Sequence, residues 1–349
     1  MAAGRRRFLI CALGGGGAIL AGGWRGPARR ESACGDRVTR RSSALGATVE
    51  FTVLGMAAER AHRAIDAAFA ELEIIEQVMS LYRPESQICR LNREGRLVRP
   101  HSALVEVLEM AARISEQTAG AFDVTVQPLW RLSVECRRLG RLPSADEIAE
   151  ARSRVDWRSV ECSPEDVRLG QRGMAVTLNG IAQGYSADRV RTVLAERGVE
   201  HALINAGEFL PVGSGADGAD WRIGIQDPRQ ADRLLAAVVC DGRGIATSGD
   251  YETPFTPDLR HHHIFDPRTG ESPPELASAT ILAPNTMEAD ALSTAAMVLG
   301  SNGTLEMIRQ TNRARKSGNI DAMLVDKTGR TITTPGFPVA DGALESRML

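Results

Sequence analysis

From residue 57 to 81 the apolar side chains Ala61, Ile65, Phe69, Leu72, Ile75 and Val78 recur at helical spacing. That pattern predicts a long amphipathic helix that must bury one face. The stretch just before it, Ala47–Leu54, alternates and is rich in β-branched residues, which predicts a strand. A strand feeding directly into such a helix calls for helix packed on sheet. Helical spacing returns over 102–118, 144–153, 185–197 and 285–299. Asn285 and Glu288 have the N-cap and third-position spacing of a capping box at the start of the last of these. Strands are expected at 175–178, 202–205, 221–226, 234–239, 245–248 and 277–282, and as a hairpin of 320–325 with 331–333. The stretch 83–95 reads as a polar loop, and 120–129 as a loop entering a strand. This order is too irregular for a doubly wound parallel sheet, so the expected class is α+β, one domain of intertwined lobes.

Net charge is −2 at pH 7 and aromatics make up 4% of the 349 residues. A basic nucleic-acid surface and a base-stacking platform are therefore not indicated. The chain opens with a cationic cluster, Arg5-Arg6-Arg7, before a mild apolar run from Phe8 to about Gly23. That run is too short and glycine-rich for a membrane span of roughly 20 apolar residues. It reads as an export signal over about 1–30, and Arg5-Arg6-Arg7-Phe8-Leu9 fits the twin-arginine pattern. The expected location is periplasmic. A main domain is expected over 41–337 and a loose tail over 338–349. Six cysteines, at 11, 34, 89, 136, 162 and 240, form no CxxC pair. They read as small buried hydrophobes, with room for one bridge, rather than as a zinc site or disulfide framework.

Four segments carry polar residues in patterns that suit chemistry. In 288–294, Asp290 and Thr294 lie one helical turn apart, so a carboxylate and a hydroxyl share a face. Mg²⁺ favours such hard oxygen ligands, yet a polar stripe on an amphipathic helix has the same spacing. In 178–188 a strand runs through Gly180 and Gly184 into a helix, a turn that brings backbone amides close to a phosphate or is simply an ordinary βα turn. In 245–252 and 261–270, a Thr-Ser-Gly-Asp-Tyr-Glu turn precedes three consecutive histidines. In extended chain His261 and His263 would face the same side. The other histidines, His62, His101 and His201, form no cluster, so a single histidine serving as acid or base fits better than zinc. The fourth segment is Gly120-Ala121-Phe122-Asp123-Val124-Thr125.

Taken in order, these segments are joined by Leu45-Gly46-Ala47-Thr48, Met79-Ser80-Leu81-Tyr82, Asn205-Ala206-Gly207, 221–228 and Asp266-Pro267 with Thr269-Gly270. The whole series, from about Leu45 to Val325, resembles the ApbE family of FAD:protein FMN transferases. The resemblance implies FAD as donor substrate, bound between the lobes, and Mg²⁺ as cofactor. It implies a reaction in which a Ser or Thr hydroxyl of a client protein receives FMN and AMP is released. Asp290, Thr294 and the carbonyl of Gly180 would hold the metal, and His263 would be the acid/base. Leu45, Gln87, Ile88, Cys89, Ala121, Phe122, Asp123, Thr177, Gln183 and Phe265 would line the FAD site, with Ser248, Gly249 and Asp250 close to the phosphates. The implied client is a periplasmic domain of a respiratory or electron-transfer membrane complex, with no nucleic acid involved.

Four positions depart from the family pattern. Leu45 stands where Met is frequent, Gln183 where Lys is usual and Thr177 where an acidic residue is common. Glu208 occupies a position read as glycine, and is expected to exclude a backbone conformation that glycine alone takes easily. Two other readings share the same residues: a pyrophosphatase that cleaves FAD to FMN and AMP, and a periplasmic flavin-binding or assembly protein without catalysis.

Overall fold

The computed structural model describes residues 37–316 and 318–340. The expected export signal lies outside the described residues, as do residues 341–349.

The chain enters through a hairpin, β1 (Val38–Ala44) and β2 (Ala47–Leu54), turned at Leu45, whose φ is +50°. The predicted long helix follows as α1 (Ala58–Met79), and its buried stripe runs from Ala61 through Ile65, Leu72 and Ile75 to Met79. The expected polar loop contains a short helix, α2 (Gln87–Glu94). Ser86 caps it by accepting from the Cys89 amide, and Gly95 ends it in the left-handed conformation. β3 (Arg96–Val98) and α3 (Ser102–Gln117) come next.

The 120–129 stretch becomes a helix instead of a strand. Asp123 turns the chain by accepting from the Thr125 amide, Val124–Val126 forms a 3₁₀ turn, and Pro128 opens α4 (Gln127–Arg138). Local capping here overrides the β-branched alternation. α5 (Ala145–Arg152) follows with a full capping box from Ser144 and Glu147. β4 (Val160–Cys162) and β5 (Asp166–Leu169) join β3 in a small antiparallel sheet.

The expected strand at 175–178 does not form. The Asn92 side chain takes both polar groups of Val176, donating to its carbonyl at 2.8 Å and accepting from its amide at 2.6 Å. The Thr177 amide donates to the Val124 carbonyl. These partners occupy the groups that a neighbouring strand would use.

α6 (Ala182–Ala195) then leads to β6 (His201–Asn205) and β7 (Phe209–Val212). A long hairpin, β8 (Arg222–Asp227) with β9 (Gln230–Val239), forms a sheet of its own. β10 (Gly244–Gly249), β11 (Leu276–Ala283), α7 (Thr286–Ala314), β12 (Asp321–Asp326) and β13 (Thr331–Thr333) complete the chain. Val339 bridges to Val238, and the Ala340 amide donates to the Ala237 carbonyl, so the start of the expected tail lies along β9.

The main sheet has eight strands in the order β1-β2-β6-β7-β10-β11-β12-β13, antiparallel throughout. Both of its faces are covered, and strand alternation shows how. Ala246, Ile281 and Leu324 point into the large core beneath the helices, where α7 packs on β10 and β11, α6 on α7, and α1 on α6. Their neighbours Ile245, Leu282 and Met323 point the other way, onto Ile223, Ile225 and Val238 of the β8–β9 hairpin. β11 is consequently buried at every position. The result is the expected mixed helix-and-sheet domain. Among the described residues, no helix is long and apolar enough to cross a membrane.

α7 is longer than expected because it is two helical segments. Gly300 breaks it with φ +69°, and Glu275 accepts from the Ser301 amide to cap the second segment. At its start Asn285 accepts from the Glu288 amide, whereas the Glu288 carboxylate pairs with Arg315, so the reciprocal half of the expected capping box is replaced by an ion pair.

Candidate active site

The N-terminal half of α7 carries the chemistry, and α6 fixes it in place. The Asp188 carboxylate of α6 accepts from the amides of Thr286 and Met287 at 3.0 and 2.9 Å, capping α7 from outside. Two glycines of the turn before and into α6 then press against α7. A methyl group on Gly184 would lie 2.8 Å from the Asp290 Cβ and closer still to the Thr286 carbonyl. On Gly180 it would lie 2.8 Å from the Thr294 hydroxyl. These approaches bring together Gly180, Asp290 and Thr294, and the Gly184 amide donates to Asp290 Oδ2 at 2.9 Å. β10 adds Ser248, whose hydroxyl lies 2.7 Å from that of Ser293 and 3.2 Å from that of Thr294.

These groups form one end of a cleft. Leu45, Ala121, Phe122, Asp123, Thr177, Gln183, Ser248, Gly249, His263 and Phe265 line it together with Gly180, Asp290 and Thr294. Asp123 also does structural duty, accepting from Thr125 and from the Trp157 amide. Four sequence candidates lie off the cleft wall. Gln87 accepts from the His101 amide, Ile88 is core, and the Cys89 thiol lies against the carbonyls of Ser80 and Leu81. Asp250 is fully buried in a two-pronged ion pair with Arg229, at 2.7 and 2.8 Å, with Lys327 at 3.6 Å.

The three histidines separate. His263 lines the cleft, and His261 lines a neighbouring groove. His262 is buried, with its ring against the Pro273 carbonyl. Among the described residues, no group of three His, Cys, Asp or Glu forms a metal cluster. Burial pushes the His263 pKa down to about 4, with the Asp250 charge opposing, so the ring is neutral near pH 7. Its Nδ1 has no hydrogen-bond partner among the described residues.

Tyr82 and Trp130, which sequence reasoning did not name as site residues, line the cleft, and so do Glu252 of the 245–252 turn and Glu208. Tyr82 and Glu252 fall inside motif blocks, so their signal was present; Trp130 carried none. Glu208 corrects an expectation. The left-handed position is Gly207, with φ +99°, and Glu208 is not among the residues of positive φ. No glycine-only conformation is lost at 208. Gly207 also leaves room for the Gln183 side chain, whose Nε2 would lie 2.8 Å from a methyl group there.

Electrostatically the cleft is one-sided. Asp123, Glu208, Glu252 and Asp290 line it, and no Lys or Arg does so among the described residues. Burial raises the Glu252 pKa to about 7. Burial, with mutual repulsion, raises Glu208 well above the ordinary carboxylate range, and burial with repulsion from Asp188 raises Asp290. A buried set of hard oxygens whose carboxyls ionise readily only beside a compensating charge suits a divalent cation such as Mg²⁺. Gly180, Asp290 and Thr294 therefore fit the metal that the family resemblance implies.

Comparison with known proteins gives the family and the fold. The model of the ApbE family matches residues 45–317. An FAD:protein FMN transferase of Treponema pallidum is 30% identical over 84% of this chain and 85% of its own length. One of Haemophilus influenzae is 32% identical over 73% and 77%. The solved structure of the ApbE protein from Thermotoga maritima superposes with a TM-score of 0.75 at 27% identity, covering 86% of this chain and 97% of that one. The flavinyl transferase ApbE of Pseudomonas stutzeri, in its apo form, gives 0.73 at 27% identity, over 88% and 98%.

Proposed function

Because this chain belongs to the ApbE family, we infer that it is an FAD:protein FMN transferase, moving FMN from FAD onto a Ser or Thr hydroxyl of a client protein. The client hydroxyl oxygen attacks the FMN-side phosphorus. The new O–P bond replaces the bond to the bridging oxygen, which departs with AMP. Such a transfer needs positioning and charge stabilisation more than covalent help from the enzyme.

His263 is the acceptor for the hydroxyl proton, since it lines the cleft and burial keeps its ring neutral. Asp290, Thr294 and the carbonyl of Gly180 would hold Mg²⁺, which when bound would supply neutralising charge at the phosphate oxygens. Ser248 orients the Thr294 hydroxyl. Phe122, Leu45 and Phe265 give the apolar walls against which a flavin ring can lie and from which water is excluded.

One observation carries this reading: two glycine contacts bring Gly180 and Asp290 with Thr294 to one end of a cleft that also holds a neutral histidine. The Arg5-Arg6-Arg7-Phe8-Leu9 pattern supports periplasmic action. The same pattern supports a client on that side, an exported domain of an electron-transfer membrane complex.

AMP release from FAD by the purified protein tests the reading, with Mg²⁺ or with a chelator, and with or without a flavin-acceptor protein. Mg²⁺-dependent AMP release coupled to acceptor labelling is expected. AMP without labelling of any acceptor would make the protein a pyrophosphatase, and FAD binding without AMP would make it a binding protein.

A further inference from the structure

Glu208 lines the cleft at 8% exposure, beside Asp290 at 4%. The fold delivers it there by a defined route. Left-handed Gly207 turns the chain between β6 and β7 and packs against Gln183; the next residue, Gly184, donates its amide to Asp290. From the other side the Thr247 amide donates to Glu208 Oε2 at 3.2 Å. The following residue, Ser248, bonds the Thr294 hydroxyl. Glu208 is thus linked to Asp290 by way of Gly207, Gln183 and Gly184, and to Thr294 by way of Thr247 and Ser248. Among the described residues that single amide is the only hydrogen-bond partner of its carboxylate, and no basic side chain lines the cleft. A buried carboxyl with a single hydrogen-bond partner ionises only at a cost unless a cation accompanies it.

We propose that Glu208 is a second cation-holding carboxylate of this cleft, acting with Asp290 on a hard divalent ion at the end where Gly180 and Thr294 meet. The proposal rests on the cation reading above. It turns an apparent departure from the family pattern into part of the site. Glu208 raises affinity by charge and sets a preference for Mg²⁺ or Mn²⁺ over softer ions. A merely structural Glu208 would serve Thr247 alone, and a glutamine would do that equally well.

The test counts free Mn²⁺ by its paramagnetic resonance signal, using the full chain without FAD, so that catalysis is not the readout. Glu208→Gln keeps an oxygen for the Thr247 amide and should fold. Its melting temperature without metal should match that of wild type, because burial already favours the neutral carboxyl and glutamine is a neutral near-isostere. Its Mn²⁺ affinity should fall by about 10- to 100-fold. Glu208→Asp, which keeps the charge on a shorter arm, should recover part of that loss. It also serves as the test variant if the glutamine form does not fold; wild-type affinity in it would then overturn the proposal. Wild-type affinity in Glu208→Gln alongside lost binding in Asp290→Asn would remove Glu208 and leave the cation reading intact. Wild-type protein that binds no Mn²⁺ would remove both.

Discussion

At the scale of single residues, Asp290 holds and His263 reacts. Asp290 is buried and committed to the cleft, so Asp290→Ala should lower Mg²⁺-dependent AMP release by about 10²-fold or more. Unchanged rates in that variant would take Asp290 out of the metal site. His263→Ala should slow transfer by about 10²- to 10⁴-fold while FAD affinity, read by flavin fluorescence, changes only slightly. Equal losses in both would make His263 a binding residue. Because burial holds His263 near 4, its acid limb in the transfer rate should lie near pH 4 rather than at the ordinary value of about 6.5. The sign for stability follows. Between about 6.5 and 4 the unfolded chain binds this proton and the folded protein does not, so folding stability from this group falls as pH drops through that window. Much of this was legible. The Asp290–Thr294 spacing and Gly180 were readable because a helix and a turn place side chains by rule. Glu208 was misread because sequence alone did not show that the left-handed position is Gly207. Asp250 stood in the right motif, yet its charge is consumed by Arg229, a partner 21 residues away that no local pattern reveals.

At the scale of elements, the α6–α7 contact sets the site. Gly184→Ala would drive a methyl group into the Thr286 carbonyl and the Asp290 side chain. Overpacking of this kind costs about 1–3 kcal/mol, so a lower melting temperature is expected together with weakened cation binding. Normal stability and normal binding would mean that α6 and α7 need not touch closely here. α1 and α3 were legible because their apolar spacing is regular and a single face is buried. α2 was missed because its eight residues are mostly polar, although Ser86 and Gly95 bracket it with cap signals. The stretch 175–178 looked like a strand and is extended without one, since a side chain from α2 takes its backbone groups. The periodicity that betrays a strand reports burial on alternate sides, and a segment threaded between core and cleft shares it.

At the scale of the whole molecule, a sheet buried on both faces holds the cleft rigid. Helices cover one face, and the β8–β9 hairpin covers the other. The mixed class was legible from the irregular order of elements. The sheet order was not, because pairings such as β2 with β6 join segments about 150 residues apart. If export uses the twin-arginine pair, replacing Arg5 and Arg6 by Lys should leave the protein in the cytoplasm with its catalytic domain active. Unchanged export, measured by fractionation, would contradict that route. The central claim is transfer to protein, and mass analysis of a flavin-acceptor protein after incubation with enzyme, FAD and Mg²⁺ tests it most directly. The account predicts one FMN esterified to a single Ser or Thr, with one AMP released per label and neither formed by the Asp290→Ala variant. AMP accumulating while every acceptor stays unmodified would contradict it.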